Sequence, residues 1–298
     1  MRKRFNSHKC MDVKRWVIAA IKDEESYPPD RMWNKEPSAE YIYEERLRRI
    51  KFLRKPSNAH PDALIVAKRL ESCEPKHRCL SGACPECGRL LQRWFVRRSK
   101  KFIAEYIDNE GRELVAINIV PCIPMAQPEQ LHSVDIVNLQ RRLKYALDAV
   151  GISAAIGGID FSFNEDREGK YPPFWCPHFY LITSTEDKKA LGKRLRRIFL
   201  KMEEIPRPVR ISPFENIARR RSYALKMNFS RRIGDHEVKN QNGKNRSCRN
   251  TSRDKLRAAE RLELFIYLDK IDLANRVIFW GAKPVVNSSR VKIVKCGH

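Results

Sequence analysis

The sequence predicts an α+β protein. Its core is expected to be an antiparallel sheet in split βαβ order (β-α-β-β-α-β) with helices on one face. An N-terminal helical region with a cysteine knuckle of the zinc type precedes it. Three observations carry this. Between residues 114 and 211, β-branched and aromatic runs alternate with amphipathic runs in that order. Upstream, charged segments with helical spacing dominate. Four of the nine cysteines fall within the fifteen residues from Cys73 to Cys87.

In chain order, "YIYEERLRRIKFL" (41–53) has helical spacing at Ile42, Leu47, Ile50 and Leu53. Pro28, Pro29 and Pro56 punctuate residues 1–72. After the cysteines, residues 89–106 read as a helix with an apolar stripe through Leu91, Trp94, Phe95, Phe102 and Tyr106. A basic stripe runs through Arg93, Arg97, Arg98, Lys100 and Lys101. That basic stripe could track a phosphate backbone. Residues 73–110 are therefore taken as a cysteine module with a basic helix. In the α+β domain, 111–233, strands are expected at 114–120, 155–163, 175–184 and 207–211. Helices are expected at 134–150, 186–202 and 213–229. Residues 234–254 are polar and rich in Asn, Gly, Arg and Lys, which predicts a flexible loop. Residues 255–298 read as a small appendage with a helix at 255–273 and strands near 276–280 and 291–294.

Lys and Arg number 60 against 36 Asp and Glu, a formal net charge of +24 in 298 residues. Such an excess points to a polyanionic partner, with nucleic acid favoured over a membrane surface. The apolar run at 16–21 is too short to span a bilayer or to form a signal-peptide core. An odd number of cysteines, clustered rather than spread, fits a reducing compartment such as the cytoplasm. No GxxxxGK[ST] loop occurs, so no ATPase is expected within the chain.

The cluster reads Cys73-x3-His77-x-Cys79-x4-Cys84-x2-Cys87. Two thiolates three residues apart, as in Cys84-Pro-Glu-Cys87, can both reach one tetrahedral ion. Cys79 and either Cys73 or His77 would complete the set. Zinc suits soft thiolates in a closed tetrahedron. Its role would be structural, fixing the start of the following helix.

The strand "WCPHFYLITS" (175–184) places Cys176, His178 and Tyr180 on one face and Phe179, Leu181 and Thr183 on the other. One face reads as core; the other carries polar or reactive groups. Downstream, Tyr223-Ala-Leu-Lys226 puts a phenol and an ammonium on one helical face, a pairing suited to attack on a phosphodiester. The same spacing recurs in Tyr267-Leu-Asp-Lys270, so the motif alone is weak.

Taken together, Cys79 to Cys87, the strand 114–120, Asp160 in "GGIDFSF", Cys176-Pro-His-Phe-Tyr180 and Tyr223 to Lys226 resemble the rolling-circle replication initiators. These are the plasmid-type members of the His-hydrophobic-His endonucleases. The resemblance spans about residues 73–232 and rests on order and spacing more than on identity. It departs from the family pattern where Cys176 and Tyr180 stand in place of histidines. It implies a site-specific nickase for single-stranded or hairpin DNA of a plasmid, phage or mobile element. Tyr223 would be the nucleophile, forming a 5′-phosphotyrosine with help from Lys226. His178 and Asp160 would hold Mg²⁺ or Mn²⁺. A host helicase is a further candidate partner. Two alternatives stay open: a non-catalytic, zinc-containing nucleic-acid-binding protein of the same fold, and an RNA-binding regulator.

Overall fold

A computed structural model describes residues 13–108, 111–121, 125–241, 244–287 and 290–296. The first twelve residues of the N-terminal region lie outside it. Three helices open the described chain: α1 (Val13–Glu25), α2 (Ala39–Leu53) and α3 (Pro61–Glu71). Ser38 caps α2 by accepting from the Tyr41 N–H, and Pro61 stands in the first turn of α3, where its missing N–H costs nothing. The fourth helix, α4 (Pro85–Phe102), runs through the core and continues as a π-helical turn at Ile103–Ile107.

The larger sheet contains β1 (Glu113–Ile119), β2 (Ala155–Asp166), β3 (Phe174–Thr185), β4 (Val209–Pro213), β5 (Ser230–Gln241), β6 (Lys244–Asp254) and β7 (Val277–Trp280). Their order is β4-β1-β3-β2-β5-β6. The pairs β1–β3, β1–β4 and β2–β3 are antiparallel, whereas β5 runs parallel to β2, so the sheet is mixed. β7 joins the same edge of β2 nearer its start, antiparallel. A separate two-stranded sheet pairs β8 (Ala282–Asn287) with β9 (Arg290–Lys295). Between strands lie α5 (Ile136–Ala149), α6 (Lys188–Ile198), the short α7 (Ala218–Ser222) and α8 (Ala258–Ile271). Leu143 of α5, Leu195 of α6 and Leu264 of α8 join one continuous core with Ile117, Phe161 and Phe179 of the sheet.

Three expectations are corrected. Residues 234–254, expected as a flexible loop, form most of the β5–β6 hairpin, paired from Arg231–Asp254 out to Gln241–Lys244. Arg231, buried at its base, pairs with Glu165 and with Glu260, which ties the hairpin to β2 and α8. A polar composition signals exposure, not lack of pairing: a ladder satisfies backbone groups whatever the side chains are. Residues 255–298 are no appendage. Tyr267 of α8 packs edge-on against Phe161, its hydroxyl donates to the Val134 carbonyl at 2.8 Å, and β7 extends the main sheet. The helix expected over 213–229 shrinks to α7 and a 3-10 turn at Tyr223–Leu225. The chain then turns extended at Lys226 and feeds β5.

Helices on one face alone do not describe this sheet either. Phe161 and Phe163 face the α8 side. The opposite face carries Gly158, Asp160, Ser162, Cys176, His178 and Tyr180, and one half of it is roofed by the turn after α7. A Cβ on Gly158 would lie 2.2 Å from the Ala224 carbonyl oxygen, so only glycine admits that roof. The roof is tied to α4: Gln92 donates to the Ser222 carbonyl at 2.7 Å, and Arg221 donates to the Val96 carbonyl at 3.0 Å.

Candidate active site

The register of β2 against β3 builds the site row by row. Gly158 pairs with Tyr180, Asp160 with His178, and Ser162 with Cys176. The first row lies under the roof, where the Tyr180 and Tyr223 rings meet with centroids 4.9 Å apart. In the third row, Cys176 lines an open cleft. Asp160 and His178 occupy the row between roof and cleft. His178 Nε2 lies 3.2 Å from Asp160 Oδ2, and Lys226 Nζ reaches the same oxygen at 2.5 Å. The ammonium also lies 5.1 Å from the centre of the Tyr223 ring. Asp160, His178, Tyr223 and Lys226, named from distant segments, thus form one cluster.

Asp160 and His178 are buried, at 4% and 5% exposure, while Lys226 and Tyr223 are half-buried. Burial by itself would raise the Asp160 carboxyl. The Lys226 charge and the contact with His178 overcome it and hold the group well below the ordinary carboxylate range. Burial pushes the Tyr180 hydroxyl up to about 12, so Tyr180 stays a neutral phenol.

Sequence reasoning missed Arg276. It is fully buried and donates to the Lys226 carbonyl at 2.8 Å, which fixes the backbone that presents the ammonium. Burial brings this guanidinium down to about 10, opposed by the attraction of Asp160. It sits just before β7, in the region expected to be an appendage, and no local motif marks it.

The expected Mg²⁺ or Mn²⁺ site at Asp160 and His178 does not fit the residues present. Both Asp160 carboxylate oxygens and His178 Nε2 are buried without a hydrogen bond, although Lys226 and His178 lie within ion-pair distance of Oδ2, which leaves donor capacity. The pair supplies only two ligands, however, and the carboxylate already carries the Lys226 ammonium. Among the described residues, only the cysteines bring three or more metal-ligating side chains together.

That second site is Cys73, Cys79, Cys84 and Cys87, whose sulfurs all lie within 4.8 Å of one another. Cys73 follows α3, Cys84 precedes α4, and Cys87 is in its first turn. His77 is not in the group, so Cys73 is the fourth member. Sulfur–sulfur separations of 3.5 Å (Cys73–Cys87), 3.7 Å (Cys73–Cys84) and 3.8 Å (Cys79–Cys87) match the edge of a tetrahedron. Zn–S bonds of about 2.3 Å give an edge of about 3.8 Å. Hydrogen bonds from Cys79, Cys84 and Cys87 hold the Cys73 thiol far below its usual value, and Cys73 in turn pushes Cys84 and Cys87 up. A metal such as zinc would end this competition by holding all four as thiolates. Arg78 approaches Cys73 Sγ at 4.0 Å and Arg46 donates to the Cys73 carbonyl at 2.7 Å, while both guanidinium groups also pair with Glu86 and Arg78 with Glu25.

The basic stripe of α4 is not a free surface. Arg93 is buried between Glu24 and Glu36, at 2.9 and 2.8 Å. Arg97 pairs with Glu24 at 3.0 Å and lies 3.8 Å from the centre of the Tyr27 ring, and Arg98 pairs with Asp23 at 2.5 Å. The helix is basic on that side because α1 and the following loop supply carboxylates to it. Lys100 and Lys101 are exposed, and Lys101 pairs with Glu105 at 3.3 Å.

Unpaired positive charge gathers elsewhere. A cleft of about 1290 Å³ is lined by Arg196, Lys201, Arg207, Arg210 and Arg232 and by one carboxylate, Glu204, with Cys176 and Asn164 also on its wall. None of these five cations is in an ion pair among the described residues. Burial raises the Cys176 thiol to about 12, so this wall is neutral. Arg210 could have been found from the alternation in "VRISP"; the others come from α6 (Arg196), the segment after it (Lys201, Arg207) and β5 (Arg232).

No helix among the described residues is long and apolar enough to cross a membrane. Comparison with protein-family models, curated proteins and solved structures gives no match.

Proposed function

We propose that the chain nicks single-stranded DNA by tyrosine transfer, in the manner of a rolling-circle initiator of a plasmid, phage or mobile element. The observation that carries this reading is the convergence of Tyr223, Lys226, His178 and Asp160, one strand row from Cys176, which lines a cleft rich in cations. The strand order β4-β1-β3-β2, antiparallel throughout, is the one a split βαβ unit requires and supports the same reading. Zinc on the four cysteines would hold α4, and α4 holds the roof that carries Tyr223.

In this reading the cleft binds the sugar-phosphate backbone through Arg196, Lys201, Arg207, Arg210 and Arg232. The strand passes the Asp160–His178 row. The Tyr223 oxygen attacks the phosphorus, the bond to the 3′ oxygen breaks, and a 5′-phosphotyrosine forms. The phenol loses one proton and the departing 3′ oxygen gains one, so the exchange of one ester for another is balanced. Lys226 faces the charge that develops on the phosphate.

Burial of Asp160 and His178 favours a second reading, in which the same residues are a packed ion cluster and the protein binds nucleic acid without cutting it. Incubation with a labelled single-stranded oligonucleotide separates the two. A covalent protein–DNA band supports transfer; binding without any band supports the second reading.

The cleft yields its own expectation. Charge reversal in Arg207→Glu/Arg210→Glu should weaken single-strand binding regardless of base sequence, because phosphate contacts carry no base information. The log–log salt slope should become shallower by about 0.7 per lost phosphate contact. By contrast, Arg93→Met should act on folding. It takes one of two arginine partners from each of the buried Glu24 and Glu36, which keep Arg97 and Arg89, so the loss should stay below the about 3–5 kcal/mol that removing a sole buried partner costs. Thermal melting with affinity measured on folded protein distinguishes these outcomes.

A further inference from the structure

We infer that the Lys226 ammonium takes the place of a divalent cation beside Asp160 and His178, so that tyrosine transfer in this protein needs no divalent metal. This rests on the nickase reading above.

The position is contested. A metal held by the closest pair of donors, Asp160 Oδ2 and His178 Nε2, which are 3.2 Å apart, would compete with Lys226 Nζ, 2.5 Å from that oxygen. The charge is also matched. Asp160 contributes one negative charge and Lys226 cancels it. Arg276, fully buried behind the Lys226 carbonyl, adds an uncancelled positive charge. A divalent ion would enter a site whose net charge is already positive, in surroundings where charges interact strongly. Magnesium would further need near-octahedral oxygen coordination, and two protein donors in a buried row leave most of it to water.

Lys226 is equipped to do the work instead. An ammonium has three N–H donors and accepts no bond. Asp160 holds it in place, and the lysine side chain keeps 18% exposure. A non-bridging phosphate oxygen can therefore accept from Nζ while Tyr223 attacks from the ring 5.1 Å away. Asp160 positions the ammonium through a fixed ion pair, and Arg276 positions its backbone. The departures from the family pattern then belong together: where fewer metal-ligating side chains face the phosphate, a tethered cation does.

Two measurements on zinc-loaded protein, freed of other divalent ions on a chelating resin with its zinc content verified, test this. The first is covalent adduct formation with and without millimolar Mn²⁺. The second is Mn²⁺ binding, read from loss of the free-ion signal in electron paramagnetic resonance. Wild type should form adduct without Mn²⁺, change less than about twofold on adding it, and bind no Mn²⁺ at the site. Lys226→Met should lose about 100-fold or more of the adduct, the scale of removing one oriented donor to a transition-state oxyanion. With the position vacated, Lys226→Met should bind Mn²⁺ and recover part of its activity with it. Binding should disappear again in Lys226→Met/Asp160→Asn. Lys226→Arg, which keeps the charge and serves if Lys226→Met fails to fold, should retain metal-free adduct.

Adduct in wild type that requires Mn²⁺, or Mn²⁺ binding by wild type that Asp160→Asn abolishes, would overturn the inference. If no variant forms adduct under any condition, the nickase reading falls instead. The resonance comparison then still decides whether Lys226 holds the cation position.

Discussion

Tyr223→Phe is expected to remove the covalent protein–DNA band altogether while leaving single-strand affinity unchanged. The substitution deletes only the attacking oxygen. The ring remains to pack against Tyr180 at 4.9 Å and beneath the Lys226 ammonium, so the roof over Gly158 keeps its shape. No hydrogen bond of the Tyr223 hydroxyl holds the described structure together, which makes this a clean change. The matched control is Tyr267→Phe, in the other Tyr-x-x-Lys pair. Tyr267 is buried, 2.8 Å from the Val134 carbonyl, and far along the chain from His178 on the opposite side of the sheet. Its loss should cost about 1–3 kcal/mol of stability, because a buried acceptor is left without its donor, and adduct yield per folded molecule should not change. Gel detection of the adduct with thermal melts on the same samples checks both. A band that survives in Tyr223→Phe and vanishes in Tyr267→Phe would reject the assigned nucleophile.

The largest effect on stability is expected from the cysteine cluster. Cys84→Ser/Cys87→Ser, or stripping bound metal with a strong chelator, should lower the melting temperature by about 10 °C or more. A loss of several kcal/mol shifts a chain of this class by a few degrees per kcal/mol. The physical reason is location. Cys84 and Cys87 are fully buried at the start of α4, the helix on which α1, α2, α7 and the Tyr223 turn all pack. Four sulfurs at tetrahedral spacing without an ion would retain a buried, contested negative charge among Cys73, Cys84 and Cys87. Elemental analysis should find about one zinc per chain, the number a single tetrahedral four-thiolate site accommodates. His77→Ala should leave zinc content unchanged, since His77 is outside the cluster. Unchanged melting in the double cysteine variant would show that the thiols are ordinary core residues.

Cleavage should depend on both sites in different ways. Metal loss at the cysteines acts through unfolding of α4 and its attached roof, so it removes binding and adduct together. Changes at Lys226 or Tyr223 act on transfer alone. Measuring affinity beside adduct yield therefore distinguishes damage to the scaffold from damage to the chemistry.

The alternation in "WCPHFYLITS" and "GGIDFSF" was enough to put His178 and Asp160 on polar strand faces, because a strand's period of two leaves no other choice once Phe179 and Phe161 are buried. Cysteine spacing was enough to name the four sulfurs with one ambiguity, because ligands close in sequence reach one point through local geometry. The order of strands from 113 to 213 was likewise written in their apolar runs. What no local pattern contained was pairing across distance. Register alone set Asp160 opposite His178. The roof alone brought Lys226 onto Asp160 in the position expected for a metal. Arg276 reached that roof from the turn before β7, about fifty residues on. Partners also decided which basic residues stay free: α1 carries carboxylates that neutralise the stripe on α4, while Arg207, Arg210 and Arg232 form no ion pair among the described residues. A charge in a sequence has a sign, but whether it faces a phosphate or a buried glutamate depends on what the fold places within a few ångströms of it.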